Sequence, residues 1–237
     1  MMQSTHATGS GTARYAARMR HLAPDHFRQR FGLHFSSIGL GTYLGETDAA
    51  SDGYVRSIET ALANGCNVLD TAINYRLMQS ERDVGRALSE LFANGKAARD
   101  EVIVCSKGGY VAYDGSHAFD GQRDLHARFV ATGLAAADEI VGGVHCMAPD
   151  YLSHQLDTSL NNLGLESIDV YYLHNPEVQL EHGVEPTRFL ARLEAAFARL
   201  EEEARAGRIR AYGVASWSGL RTDENERNYL PLFRVVD

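Results

Sequence analysis

The sequence predicts an α/β fold in which consecutive strand–helix units feed a parallel sheet. From Phe35 onward, short apolar runs alternate with segments whose apolar residues recur at helical spacing. The run Val102-Ile103-Val104 is apolar without alternation, as a strand covered on both faces should be. The polar residues of chemical interest fall at the C-terminal ends of strands, the edge on which parallel α/β proteins build their sites.

Each element has a local reason. Residues 1–12, rich in Ser, Thr, Gly and His, read as disordered, and 13–31 as a short helical arm with Pro24 near a helix start. Residues 1–31 thus form an N-terminal arm, partly disordered, ahead of a body at 32–237. A first strand at 37–41 precedes a helix at 52–64, in which Val55, Ile58, Ala61 and Leu62 share a face, and Gly65 stops it. A second strand at 66–70 leads to a helix from Ser80 carrying Val84, Ala87, Leu88 and Leu91, with a Ser80/Asp83 spacing that resembles a cap. The third strand, 101–106, reaches its helix at 149–163 only after an insertion at 108–148, far longer than a usual strand–helix loop and a candidate lid or pocket wall. A fourth strand at 168–173 precedes a helix at 185–206 with Phe189, Leu193, Ala196 and Leu200 inward, and a fifth strand follows at 209–215. Residues 229–237 read as the opening of another helix.

Composition narrows the function. Of 237 residues, 44% are apolar and 23% charged, which suits one sizeable core rather than a disordered chain. A net charge of −8 without a Lys/Arg run argues against nucleic acid as a partner. No stretch approaches the roughly 18 apolar residues of a membrane span, which argues against a membrane partner. The three cysteines, Cys66, Cys105 and Cys146, are odd in number and lack C-x-x-C spacing, so they read as reduced core residues of a cytoplasmic protein. Oligomeric state is not legible.

Asp70 ends the second strand, Lys107 the third and His174 the fourth, with Tyr75 five residues beyond Asp70. Singly, each has a plain structural explanation as a turn former, solvated charge, loop aromatic or hydrogen-bonded histidine. Jointly, they bring a carboxylate, an ammonium, a phenol and an imidazole to one patch. That set suits carbonyl reduction: a hydride arriving at a carbonyl carbon leaves a developing alkoxide that needs a proton donor. A phenol, with an ordinary pKa of about 10, gives up its proton reluctantly unless an ammonium stabilises the phenolate. Tyr75 supplies the phenol, Lys107 the ammonium, Asp70 the group that holds Lys107, and His174 a group to orient the carbonyl oxygen. Asn74 and Tyr110 read equally as substrate contacts and as loop residues.

The segment Asp70-Thr71-Ala72-Ile73-Asn74-Tyr75, followed by Ser80-Glu81, resembles the Asp-Thr-Ala-x-x-Tyr signature of the aldo-keto reductases. In order along the chain, Gly39-Leu40-Gly41-Thr42 resembles that family's first strand and Val104-Cys105-Ser106-Lys107 its lysine strand. Asp169-Val170-Tyr171-Tyr172-Leu173-His174 resembles its histidine strand and Gly213-Val214-Ala215-Ser216-Trp217 its fifth. The resemblance implies a (β/α)8 barrel of TIM type, here a partial barrel of about five units. It also implies NADP or NAD as cofactor, with NADPH favoured, and a small-molecule carbonyl substrate, sugars included. Asp70, Tyr75, Lys107 and His174 become the catalytic tetrad. Gly41, Thr42, Tyr43, Asp70, Asn175 and Ser216 become cofactor contacts. The family usually has Ser-Asn where this chain has Ala215-Ser216, and its sixth to eighth strands, expected absent here, carry the ring that stacks on the nicotinamide and the loop that holds the phosphates. A truncated, catalytically defective member or a non-catalytic binding module is therefore the alternative.

Two other readings have less support. Gly39-x-Gly41 with Gly45 evokes a Rossmann fingerprint, but helical periodicity begins too late for a helix N-terminus to meet a pyrophosphate. His145, Cys146 and His154 lack the repeated spacing of metal ligands, so no metal is expected.

Overall fold

In the computed structural model, residues 5–45, 51–115 and 120–231 are described. The chain opens with helix α1, Gly9–Arg18, capped by Thr8, whose Oγ1 accepts from Gly11 N at 2.9 Å. Strands β1, Phe27–Arg30, and β2, Leu33–Ser36, pair antiparallel. Their tight turn places Phe31 at φ 50° and Gly32 at φ 72°, the left-handed pair that a two-residue hairpin needs. There follow β3, Leu40–Gly41; α2, Ser51–Ala63; β4, Val68–Asp70; α3, Gln79–Ala93; and β5, Ile103–Gly108. The insertion holds a short helix, α4, Gly121–Leu125, which runs into a π-helical turn at His126–Val130. Then come α5, Pro149–Leu163; β6, Ile168–His174; a one-turn helix α6, Val178–Glu181; α7, Pro186–Arg205; and β7, Ile209–Ala215.

Strands β3 to β7 form a parallel sheet in sequential order, the arrangement of a partial (β/α)8 barrel. Sequential order excludes the Rossmann reading, whose strand order reverses at a switch point. Because side chains alternate along a strand, the sheet has two distinct faces. Leu69, Val104, Tyr171 and Leu173 pack outward against the stripes of α2, α3, α5 and α7 in the main core. Val68, Ile103, Cys105, Val170 and Tyr172 pack together on the other face. Asp70, Lys107 and His174 share the parity of this second set, so the same alternation carries them to the inner face at its C-terminal end. The insertion packs a satellite core of its own around Phe129, Cys146 and Tyr151.

The N-terminal segment departs from the expected loose arm. From Thr5 onward it is packed: Ala7 is fully buried against Leu33, Ile103 and Cys105, at the opposite end of the inner face from Lys107. Residues 13–31 form the end of one helix and a strand rather than a helical arm. Residues 1–4 and 232–237 lie outside the described part, and Tyr229 to Pro231, the start of the expected last helix, are not helical. No helix among the described residues is long and apolar enough to cross a membrane.

One buried carboxylate ties these layers together. Asp169 Oδ1 accepts from Ala7 N at 2.7 Å, while Oδ2 accepts from Val104 N and Arg99 Nη2, both at 2.8 Å. The Arg99 and Asp169 side chains are 5% and 0% exposed, so removing one partner strands a charge in a medium that cannot solvate it. Asp169→Ala is expected to cost about 3 kcal/mol or more, read as a lower urea midpoint with an unchanged slope. A loss below about 1 kcal/mol would show that water reaches the site.

Candidate active site

The four residues singled out from the sequence meet at the C-terminal end of the sheet. Register brings Gly41 beside Asp70, Asp70 beside Cys105 and Lys107 beside Tyr172. Lys107, whose side chain is 7% exposed, spends all three donors there. Its Nζ donates to Asp70 Oδ2 at 2.6 Å, to Thr71 O at 2.9 Å and to Tyr75 Oη at 3.2 Å. Since the phenol oxygen accepts that bond, the Tyr75 O–H is left to point elsewhere. Tyr75 packs edge-on against His174, with ring centroids 5.6 Å apart. Burial, the Lys107 charge and His145 push the His174 pKa down to about 3, so its imidazole is neutral at ordinary pH.

Tyr75 sits on a turn with an unusual backbone. Arg76, Leu77 and Met78 follow at φ 49°, 55° and 70°, three successive left-handed residues without a glycine. Arg76 anchors the turn: Nη1 donates to Asp83 Oδ2 at 2.7 Å, both side chains are buried, and the guanidinium lies 3.5 Å over the Tyr54 ring. The expected Ser80/Asp83 cap is not made. Met78 occupies the cap position with no side-chain bond; Ser80 Oγ donates to Thr42 O at 2.8 Å instead, and Asp83 is paired with Arg76.

The expected cofactor contacts surround the tetrad with different freedoms. Thr42 is spent on structure, its N and Oγ1 both donating to Asp70 O. Tyr43 is 65% exposed and meets the Tyr75 ring edge-on at 5.0 Å. Asn175, at φ 47°, donates its N–H to Ala215 O and its amide to Tyr110 Oη. Ser216 Oγ donates to Glu177 Oε1 at 2.8 Å. Tyr110 stands at the insertion's entry, edge-on to His174 at 5.0 Å.

Sequence reasoning missed Glu177. Its Oε1 also accepts from the backbone N–H groups of Trp217, Ser218 and Gly219, so one buried carboxylate shapes the whole exit loop of β7. A glutamate after Asn175-Pro176 looks like a solvated turn residue; only its position directly past a strand end hinted otherwise. The three residues weighed as metal ligands are engaged apart from one another. His145 Nε2 meets the His174 carbonyl, Cys146 Sγ accepts from Ala148 N, and His154 lies edge-on to Phe129. Among the described residues no group of three or more such side chains could hold a metal ion.

Comparison with known proteins bears on the family and the fold. A model of the aldo/keto reductase family matches residues 37–232. An aldo-keto reductase of Bacillus subtilis is 29% identical over 195 residues, covering 79% of this chain and 45% of that protein. The 6-dehydroglucose reductase of Novosphingobium aromaticivorans is 27% identical, over 82% of this chain and 53% of its own length. The 2,5-diketo-D-gluconic acid reductase B of a Corynebacterium is also 27% identical, over 87% and 55%. The chain thus spans about half the length of the curated relatives it matches. Among solved structures, an aldo-keto reductase of Bacillus halodurans in its holo form superposes with a TM-score of 0.53 at 26% identity, over 80% of this chain and 50% of that one. The matched span contains the strand ends that bear Asp70, Lys107 and His174 and the turn that bears Tyr75, and on that match the chain belongs to the aldo/keto reductase family.

Proposed function

We propose that the chain reduces an aldehyde or ketone, with NADPH or NADH as hydride donor and Tyr75 as proton donor. The observation that carries this reading is the saturated Lys107 ammonium. Having given one bond each to Asp70, Thr71 and Tyr75, it leaves the Tyr75 proton as the mobile one at the mouth of the site. Residues around the tetrad suit the amide end of a nicotinamide. Asn175 keeps its amide oxygen, Ser216 keeps acceptor capacity, and at Gly41 even a Cβ would meet nothing within 4 Å. When bound, the nicotinamide supplies a hydride to the carbonyl carbon.

The chain's own residues handle the oxygen. Tyr75 transfers its proton to the developing alkoxide, giving the alcohol, and Lys107 stabilises the phenolate left behind. Asp70, 2.6 Å from Nζ, keeps the ammonium in place. His174, as a neutral imidazole, donates a hydrogen bond to the carbonyl oxygen without competing as an acid. The names of two relatives, a 6-dehydroglucose reductase and a 2,5-diketo-D-gluconic acid reductase, support a polyhydroxylated substrate. Exposed Tyr43 and the Tyr110 hydroxyl offer a ring face and a polar contact to such a molecule. The three buried free thiols support residence in the cytoplasm.

Fluorescence titration with NADPH, followed by its consumption in the presence of a sugar aldehyde, tests the reading; failure of both favours a non-catalytic binding role. Tyr75→Phe is expected to lower reduction by about 10²-fold or more while NADPH affinity stays unchanged. Equal loss of both would assign Tyr75 to binding.

The His174 shift has a second consequence, whose sign is fixed by proton linkage. An unfolded histidine takes its proton near pH 6.5, and folded His174 only at about 3. The neutral form therefore contributes its full stability above about pH 6.5, and this is lost as pH falls through the window toward about 3. Imidazole spectra should show His174 uncharged at about pH 5; a titration near 6.5 there would remove the neutral-donor role.

A further inference from the structure

The insertion that begins after β5 is closed at its base by a short antiparallel stem. Val111 N donates to Val144 O at 2.7 Å and Cys146 N to Gly109 O at 2.8 Å, and Tyr110 and His145 face each other across it. The stem delivers His145, fully buried, to the end of β6. His145 Nε2 lies 2.8 Å from the His174 carbonyl oxygen and Nδ1 lies 3.4 Å from Gln179 Nε2. Gln179 Oε1 in turn accepts from Arg192 Nη1 at 2.9 Å. Gly109, at φ 127°, permits the approach, since a Cβ there would come within 2.9 Å of His145 Nε2.

Chemistry sets the direction of every bond in this row. A guanidinium only donates, so the Gln179 oxygen faces Arg192 and its NH₂ faces His145. His145 Nδ1 then accepts, which leaves the ring proton on Nε2, where the His174 carbonyl can only accept it. The row is a one-way chain of donors ending on the backbone of His174, and bonds aligned in this way polarise one another.

We infer that His145 is a positioning residue for His174: through this one-way chain the insertion fixes the exit of β6 and thereby aims the His174 imidazole. The inference rests on the proposed role of His174 in carbonyl reduction. Two further observations agree with it. His174 Nδ1 is buried with no partner among the described residues, so no bond at that nitrogen orients the ring. What holds the ring is its backbone together with edge-on contacts from Tyr75 at 5.6 Å and Tyr110 at 5.0 Å. Tyr110 also packs edge-on against His145 at 5.3 Å, so one stem supplies both supports.

A charged His145 would turn a proton on Nδ1 against the Gln179 NH₂. Burial pushes the His145 pKa down to about 4, against the raising effects of the bond to His174 and of Glu177; His182 lowers it further. The groups facing His145 are therefore His174 and Glu177 near the end of β6, His182 just past α6, Tyr110 across the stem, and Arg192 of α7 through Gln179.

Long-range proton–nitrogen spectra of the imidazoles, taken on the chain without cofactor, test the inference. The wild-type His145 is expected as the Nε2–H tautomer. Gln179→Glu replaces the donor by a carboxylate that only accepts, so His145 gains a proton on Nδ1 and its titration moves up from about 4 toward neutrality. The His174 ring resonances are displaced with it, at a pH where His174 itself stays neutral. Arg192→Leu, on the half-buried face of α7, frees the Gln179 amide and displaces the same resonances without adding charge. In turnover, Gln179→Glu is expected to lose about 10- to 100-fold in kcat with an unchanged KM for the cofactor, and His145→Gln, which keeps a donor for the carbonyl, to lose less than His145→Ala. His174 resonances unmoved in both Gln179→Glu and Arg192→Leu overturn the positioning role, whatever the turnover. Displaced resonances in a chain whose wild type does not reduce carbonyls uphold it and count against the reductase reading instead.

Discussion

The ammonium of Lys107 is the junction on which the site depends. It is nearly buried, and a buried charge persists only where partners replace the water it has lost. Its three N–H groups meet a carboxylate from β4, a carbonyl from the residue after β4 and the phenol of the following turn. Each partner constrains something else: Asp70 sets the end of β4, the Thr71 carbonyl sets the path of the chain, and Tyr75 is held with its oxygen toward Nζ. Losing any one would leave a donor unpaired in the interior, so packing and chemistry demand the same arrangement. The period of the strands does the rest, because residues two apart share a face. Ile103 and Cys105 therefore lead Lys107 to the inner face just as Val170 and Tyr172 lead His174 there.

Holding Tyr75 has a conformational cost. Three consecutive non-glycine residues in the left-handed region cost roughly 1–2 kcal/mol each. Nothing in an isolated peptide would maintain them. Here Arg76 is clamped between Asp83 and the Tyr54 ring, Met78 is buried, and the Leu77 carbonyl accepts from Gly115 N. The turn thus links α2, α3 and the start of the insertion through the residues immediately following the phenol. Strain of this kind, over-determined by its surroundings, accumulates where a side chain must be presented at a set angle.

Much of this was legible in the sequence, and the boundary has physical causes. Helices α5 and α7 fell within a residue of their expected limits because Pro149 and Pro186 open them and glycines follow their ends. That Asp70, Lys107 and His174 come together was legible because each stands at the end of a strand, and strand ends can be read from local apolar runs; Tyr75 follows on the turn after β4. The hairpin of β1 and β2 was not, because Arg28, Gln29 and Arg30 are all exposed and give no apolar alternation, and the turn is Phe31-Gly32 rather than Asn-Gly. Ala7 gives no local sign of burial; its place is set by Asp169, 162 residues away. Glu177, Gln179 and His145 were opaque for the same reason: their partners lie on other elements, and a polar residue in a loop or a one-turn helix looks alike whether water or a distant amide satisfies it.

That distinction bears on how the site is built. Polar groups at its margin are pointed in one direction by chemistry alone: Lys107 can only donate, Glu177 in its charged form can only accept, and the His145 ring stands between a donor and an acceptor. Buried atoms left without a partner among the described residues include Thr71 Oγ1, Asn74 Oδ1 and Glu177 Oε2 on the loops leaving β4 and β6, His174 Nδ1 at the last residue of β6, and, away from the site, His34 Nδ1 and Arg99 Nε. Each such atom costs about 1–3 kcal/mol when nothing pairs with it. Such atoms also occur beside the Asp169–Arg99 pair, so they do not by themselves mark the site; what marks it is the Lys107 ammonium, which spends every donor on Asp70, Thr71 and Tyr75. The rigid network around Lys107 sets where the Tyr75 phenol stands.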